Sequence, residues 1–242
     1  MTASAYHNQI LLLSPSYNYQ PELRLFADCM LRILNHRSDV FLVILDNQSD
    51  AETQAYLNTL SHPQLEVRLL DRNYGKANAM NTFIETTISD HNLPRILISI
   101  DSDIIFSIKS LDLLIEAVDM IPDSGLLGMR YTPNLCNPES NLFFRPKKVV
   151  GTNGKSYLLS VPFLCNIAGG LLALRGAVLR DQLRYELYPH STGKVYYPDD
   201  AFLYDKLKRS GLKLGYLNGC EATHLRSAET REYPLYDFAT HA

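Results

Sequence analysis

The chain has 242 residues, 46% of them hydrophobic and 20% charged, with a formal net charge of −3. These proportions suit a globular protein, and the charge excludes a broad electrostatic attraction to nucleic acid or anionic lipid. No stretch is apolar for the roughly 18 residues a membrane span requires, and residues 1–8 lack the basic start and apolar centre of a signal peptide, so no integral membrane anchor and a cytoplasmic location are expected.

The length fits one large α/β domain spanning residues 1–242. The cysteines, Cys29, Cys136, Cys165 and Cys220, lie too far apart for paired metal-ligand spacing and read as reduced, mostly structural thiols. In chain order, a short apolar strand over 10–13 is ended by Ser14-Pro15-Ser16-Tyr17-Asn18. Leu23, Phe26, Ala27, Met30, Leu31 and Leu34 then line one helical face. A second strand over 40–45 runs into Asp46-Asn47-Gln48-Ser49-Asp50, where Ser49 or Asp50 can cap the next helix. A third strand over 65–70 is followed by Asn73-Tyr74-Gly75-Lys76 and a helix with Met80, Phe83, Ile84 and Ile88 on its apolar face. The fourth strand, 96–100, is wholly apolar and ends on Asp101-Ser102-Asp103. Alternation of strand and helix predicts right-handed crossovers and a mainly parallel sheet flanked by helices, with residues 1–104 as a nucleotide-binding half and 105–242 as an acceptor-side half.

Downstream, a helix over 111–120 and a strand over 126–131 are expected, and the regular alternation stops there. Residues 132–162 read as a long loop or hairpin excursion, with Arg145-Pro146-Lys147-Lys148 as a solvated loop. Order returns over 163–175. The tyrosine-rich tract 185–197 reads as a lid or an ordinary surface loop, Asp199-Asp200 opens a helix through Arg209 with Gly211 as C-cap, and 212–217 is the last strand.

Open α/β sheets bind ligands beyond the carboxyl ends of their strands, and four such ends are expected on one edge here. Tyr17 can stack on a base or pack the turn, and Asp46 can accept from a base or ribose or cap a helix. Lys76 can offset phosphate charge or remain solvated, and Asp101 and Asp103 can hold a divalent cation or shape a turn. Hard carboxylate oxygens suit Mg²⁺ or Mn²⁺ with substrate phosphates completing the shell. Together these groups describe a cradle for a nucleoside diphosphate.

On these residues the sequence resembles the family-2-like glycosyltransferases of the GT-A fold, a Rossmann-like α/β architecture. The matched segments are Ser14-Pro15-Ser16-Tyr17-Asn18, Asp46-Asn47-Gln48-Ser49-Asp50, Asn73-Tyr74-Gly75-Lys76-Ala77-Asn78-Ala79-Met80-Asn81 and the Asp-x-Asp element Asp101-Ser102-Asp103. The resemblance implies a nucleotide site that includes Pro15, Tyr17, Asp46, Asn73, Lys76, Asp101 and Ser102, with Asp46 on the base. It implies that Asp101 and Asp103 hold Mn²⁺ or Mg²⁺ and the donor diphosphate, and that Gly169 and Gly170 line the donor sugar.

The same resemblance aligns Tyr197-Pro198-Asp199-Asp200-Ala201-Phe202-Leu203 with the family's Glu-Asp element, Asp199 standing where glutamate is usual. Asp200 is the candidate general base and Asp199 a sugar contact, with helix capping as the competing reading for both. His224, expected just after the last strand, is either a further metal ligand or a structural histidine. The expected reaction is transfer of a sugar from a nucleotide diphosphate, a uridine one, to a hydroxyl of a glycan, protein, small molecule or modified nucleic acid, with inversion. A retaining GT-A enzyme, a sugar nucleotidyltransferase and a catalytically silent nucleotide-binding protein are the alternatives. The second is disfavoured because the segment after the first strand carries neither glycine nor a basic residue.

Overall fold

Leu11, Leu13, Val43 and Leu45 pack into one hydrophobic core while Ile10, Leu12, Leu42 and Ile44 pack into another. That alternation is the two-residue period of strands covered on both faces. In the computed structural model, which describes residues 6–18, 20–131, 144–163, 167, 169–188 and 199–225, with only the backbone of Gln20, Asp199 and Asp200, these residues form β1 (Ile10–Ser16) and β2 (Val40–Asp46). β3 (Leu65–Leu69) and β4 (Ile96–Ile100) complete a parallel set in the spatial order β3-β2-β1-β4. The order reverses between β1 and β4, which is where open sheets of this kind form a ligand crevice.

The helices make the outer layers. α1 (Gln20–His36) turns Leu23, Phe26, Met30, Ile33 and Leu34 inward, at the spacing of one helical stripe. With α2 (Ala51–Leu57), and with α4 (Ile108–Met120), which starts on the Ser107 cap three residues before the expected position, it covers one face of the sheet. The other face is covered by α3 (Gly75–Thr87), α5 (Gly176–Asp181) and α6 (Asp199–Arg209).

Beyond β4 the sheet is mixed in direction. β5 (Ile104–Phe106) leaves the Asp101 turn to pair with the last strand, β6 (Ser124–Tyr131) follows α4, and β9 (Leu171–Arg175) runs antiparallel between β4 and β6. β10 (Lys213–His224) is parallel to β6, so both run in the direction of β1 to β4. β7 (Phe144–Val150) and β8 (Ser156–Pro162) form a hairpin added to β10. Two readings of the sequence change here. Arg145-Pro146-Lys147-Lys148 lies in strand β7 with exposed side chains rather than in a loop. β10 runs seven residues past 217, because a register shift between Tyr216 and Glu221, with Gly219 at φ +84°, carries the strand past its irregularity. His224 therefore ends this strand instead of following it. The expected segments 132–143 and 189–198 lie outside the described residues, as do Cys136 and Cys165.

Among the described residues no helix is long and apolar enough to cross a membrane.

Candidate functional site

The carboxyl ends of β1, β2 and β3 are level: Ser16 pairs with Asp46 and Asp46 with Leu69. Side chains then lace the loops beyond them. Asn18, at φ +54°, receives Ser49 Oγ on its N–H and offers its Oδ1 to the N–H of Asp50, both at 2.8 Å. Asp50, not Ser49, caps α2 by accepting from Thr53 N. Asn47 spans to the third loop, donating to Asn73 Oδ1 and accepting from Tyr74 N, each at 2.8 Å, and Asn73 Oδ1 also accepts from Gly75 N at the start of α3. Gly75 sits at φ +75°, a conformation that favours glycine, so the turn into α3 is specified by residue type. Asn47 thus holds together two of the predicted nucleotide loops, a role its neighbours in the sequence do not reveal.

Asp46 is fully buried. Its Oδ2 accepts from Ser49 N and Gln54 Nε2 at 3.1 Å, while Oδ1 is buried with no hydrogen-bond partner. A desolvated carboxylate oxygen left in that condition is costly unless something donates to it. Pro15 lies within β1, opposite Leu45, and the Tyr17 ring beyond it is 45% exposed.

Asp101 leaves β4 on a tight turn. Its N–H donates to the Gly170 carbonyl at 2.8 Å and its carbonyl accepts from Ile104 N at 3.1 Å, which leaves Ser102 and Asp103 at the centre of the turn. Gly170 is there for space: a Cβ on it would stand 2.5 Å from Ile104 Cδ1 and 2.6 Å from Tyr131 Oη. Lys76, in the first turn of α3, reaches across with Nζ 2.7 Å from Asp101 Oδ1 and 3.1 Å from the Gly169 carbonyl. Asp103 is tied to the end of β10 by Leu225 N, which donates to its carbonyl at 2.8 Å, and this brings His224 Nε2 to 3.6 Å from Asp103 Oδ2. The imidazole stands tilted against the Tyr131 ring, and its Nδ1 is buried without a hydrogen-bond partner.

The donor set suits a hard divalent cation. With metal–ligand bonds of about 2.0–2.2 Å, two atoms 3.6 Å apart, such as Asp103 Oδ2 and His224 Nε2, can bind one ion. Asp101 is engaged by Lys76 instead, and among the described residues no three His, Cys, Asp or Glu side chains converge on one point. The structure therefore brings Lys76, Asp101, Gly169 and Gly170 into one cluster and Asp103 with His224 into an adjoining one. Asp199 and Asp200 open α6, but their side chains lie outside the described residues.

Two buried residues behind the cluster carried no assigned role in the sequence reading. Asn81, on the inner face of α3, accepts from Tyr188 N at 3.1 Å and donates to the Tyr188 carbonyl at 2.5 Å. The Tyr188 hydroxyl meets Ser99 Oγ in β4 at 3.0 Å, and its ring lies 6.0 Å from Lys76 Nζ. Tyr188 also lines a cavity of about 490 Å³ beside α6, together with Glu186, Phe202, Asp205 and Lys206. The signal that could have found Asn81 is a polar residue placed on the apolar stripe of a helix.

A family model described as glycosyl transferase family 2 matches residues 12–169, more than half of the chain, and takes in every strand end described above except that of β10. The chain belongs to glycosyl transferase family 2. Solved structures share the fold. The mannosyltransferase PcManGT from Pyrobaculum calidifontis, in complex with GDP-Man and Mn²⁺, is 18% identical at a TM-score of 0.67, over 94% of this chain and 59% of that one. GalNAc-T7 with UDP, GalNAc and Mn²⁺ is 12% identical at a TM-score of 0.65, over 90% and 44%. S. aureus TarS 1-349 in complex with UDP-GlcNAc is 17% identical at a TM-score of 0.60, over 91% and 61%. This glycosyl transferase family 2 chain thus spans between 44% and 61% of the length of these structures. Among curated proteins no match is found.

Proposed function

We propose that the chain transfers a sugar from a nucleotide diphosphate, a uridine one, to a hydroxyl acceptor with inversion of configuration, using Mn²⁺ or Mg²⁺. The observation that carries this reading is the alignment, along one sheet edge, of the orphaned Asp46 Oδ1, the Lys76–Asp101 ion pair and the Asp103–His224 pair. In chemical type they match a base acceptor, a phosphate countercharge and a cation site, the three functions a nucleotide diphosphate needs. The solved complexes of the fold relatives, with GDP-Man, UDP or UDP-GlcNAc and two of them with Mn²⁺, support the same substrate class.

In this reading Asp46 Oδ1 accepts an N–H from the base, the exposed Tyr17 ring stacks on it, and the laced loops of Pro15, Asn47 and Asn73 keep the pocket open without further ordering. Lys76 and the N-terminal N–H groups of α3 receive the diphosphate charge. Asp103 and His224, with Asp101, would hold the cation, which when bound would supply Lewis-acid stabilisation of the leaving diphosphate. Gly169 and Gly170 line the donor sugar, with Gly170 letting its strand-turn pack directly on Ile104 and Tyr131. Asp200, at the opening of α6, takes the proton from the acceptor hydroxyl as its oxygen bonds to the anomeric carbon and the bond from that carbon to the diphosphate breaks. Asp199 beside it contacts the sugar. The cavity lined by Tyr188 and Phe202 lies on the same helix and suits the acceptor side.

The test is incubation with a panel of UDP- and GDP-sugars, with and without Mn²⁺, reading release of nucleotide diphosphate. Metal-dependent release from a UDP-sugar is the expected result; no release and no nucleotide binding across the panel would overturn the reading. Asp200→Asn should lower turnover at least 100-fold, from the 10²–10⁴-fold range of general-base contributions, with donor binding retained. Unchanged turnover would remove Asp200 from the mechanism.

A further inference from the structure

We propose that Lys76 is a tethered rival of the divalent cation for Asp101, and that arrival of the diphosphate draws the lysine away, so that cation and nucleotide load as a coupled pair. This rests on the reading that the edge binds a nucleotide diphosphate with a cation. The ammonium sits 2.7 Å from Asp101 Oδ1 and is steadied by the Gly169 carbonyl at 3.1 Å. Both side chains are about two-thirds shielded from solvent, 26% and 31% exposed, so the contact is stronger than a surface ion pair.

The turn supplies the rest of the argument. The backbone of Asp101 is pinned from both sides, by the Gly170 carbonyl and by Ile104 N, so only its side chain is left to change partner, two residues before Asp103 with its His224 neighbour. In this structure the three side chains do not converge on one point, and Asp101 is held by Lys76; for Asp101 Oδ1 to become a further protein donor to an ion held by Asp103 and His224, the ammonium must first give it up. A lysine on a four-carbon stem is a mobile point charge with no directional fork to hold it. Its root lies in the first turn of α3, where an anion is also favoured by the helix terminus. When the diphosphate occupies that position the lysine follows the larger negative charge, and Asp101 turns to the cation. By linkage, whatever factor the nucleotide adds to cation affinity, the cation adds to nucleotide affinity.

The experiment titrates Mn²⁺ into the full chain and follows free Mn²⁺ by electron paramagnetic resonance, with and without UDP. Lys76→Met and Lys76→Gln, each checked for an unchanged far-ultraviolet circular dichroism spectrum, should bind Mn²⁺ alone at least fivefold more tightly than the unaltered protein, within the range of ordinary couplings. Lys76→Arg, which keeps the charge, should not. The enhancement of Mn²⁺ affinity by UDP should shrink at least fivefold in the two neutral variants. If the unaltered protein binds Mn²⁺ with UDP but neither neutral variant gains affinity for Mn²⁺ alone, the rivalry is refuted and the donor reading stands. If no form binds Mn²⁺ with or without UDP, both fall.

Discussion

Asp46 is a carboxylate that the protein satisfies on one side only. Ser49 and Gln54 fix Oδ2 and so aim the group, while Oδ1 is left for an outside donor. The cap of the following helix comes from Asp50, four residues on, so the competing role for Asp46 is already filled. Asp46→Asn should weaken UDP binding about 10–100-fold, since a hydrogen bond to a charged group contributes about 1.5–3 kcal/mol; isothermal calorimetry checks it, and unaltered affinity would move the base elsewhere. Asp46, Asp101 and Lys76 could be placed from sequence because each follows an apolar strand or opens a helix. What could not be read was which partner each would take, since Lys76 and Gly169 are 93 residues apart in the chain.

At the level of elements, the parallel strands β1 to β4 are legible because each is a short run, mainly apolar in β1, β2 and β4 and alternating in β3, bounded by turn residues. β9, like β4, is five residues long and mostly apolar, and its antiparallel direction follows only from the path of the chain between them. β5, three residues long, becomes a strand through its pairing with β10 more than 110 residues later, which no local window contains. The contact between α3 and the segment around Tyr188 is likewise non-local and depends on one asparagine. Asn81→Leu would remove the side-chain partner of both the Tyr188 N–H and its carbonyl, at about 1–3 kcal/mol each. The urea midpoint should fall, and hydrogen exchange at Tyr188 should accelerate more than at Leu12 in β1. Equal acceleration at both would show Asn81 to be a general packing residue rather than a local clamp.

Across the whole molecule the charges are sorted by edge. The proposed chemistry lies beyond the carboxyl ends of the strands, whereas Arg37, Asp39, Arg95, Asp112 and Asp119 form an ion-pair network near the amino ends of β2 and β4. The Arg37 hydrogen bond holds the Asp39 carboxyl below its ordinary pKa, ahead of the opposing effect of burial. The folded protein therefore takes up this proton less readily than the unfolded chain. The stabilisation is complete above the unfolded value of about 3.9 and is lost as pH falls through the lower folded one. Urea midpoints measured from pH 6 to pH 2.5 should decline at the acid end, and Asp39→Asn should flatten part of that decline; an unchanged slope would remove Asp39 from the acid response. At the far end of the sheet, β7 is the last strand among the described residues, and it carries Pro146 with Arg145, Lys147 and Lys148 exposed along it. A proline offers no N–H to an incoming strand, and clustered cations repel a second copy of themselves. The hairpin thus guards a long sheet against growing, strand by strand, into an aggregate.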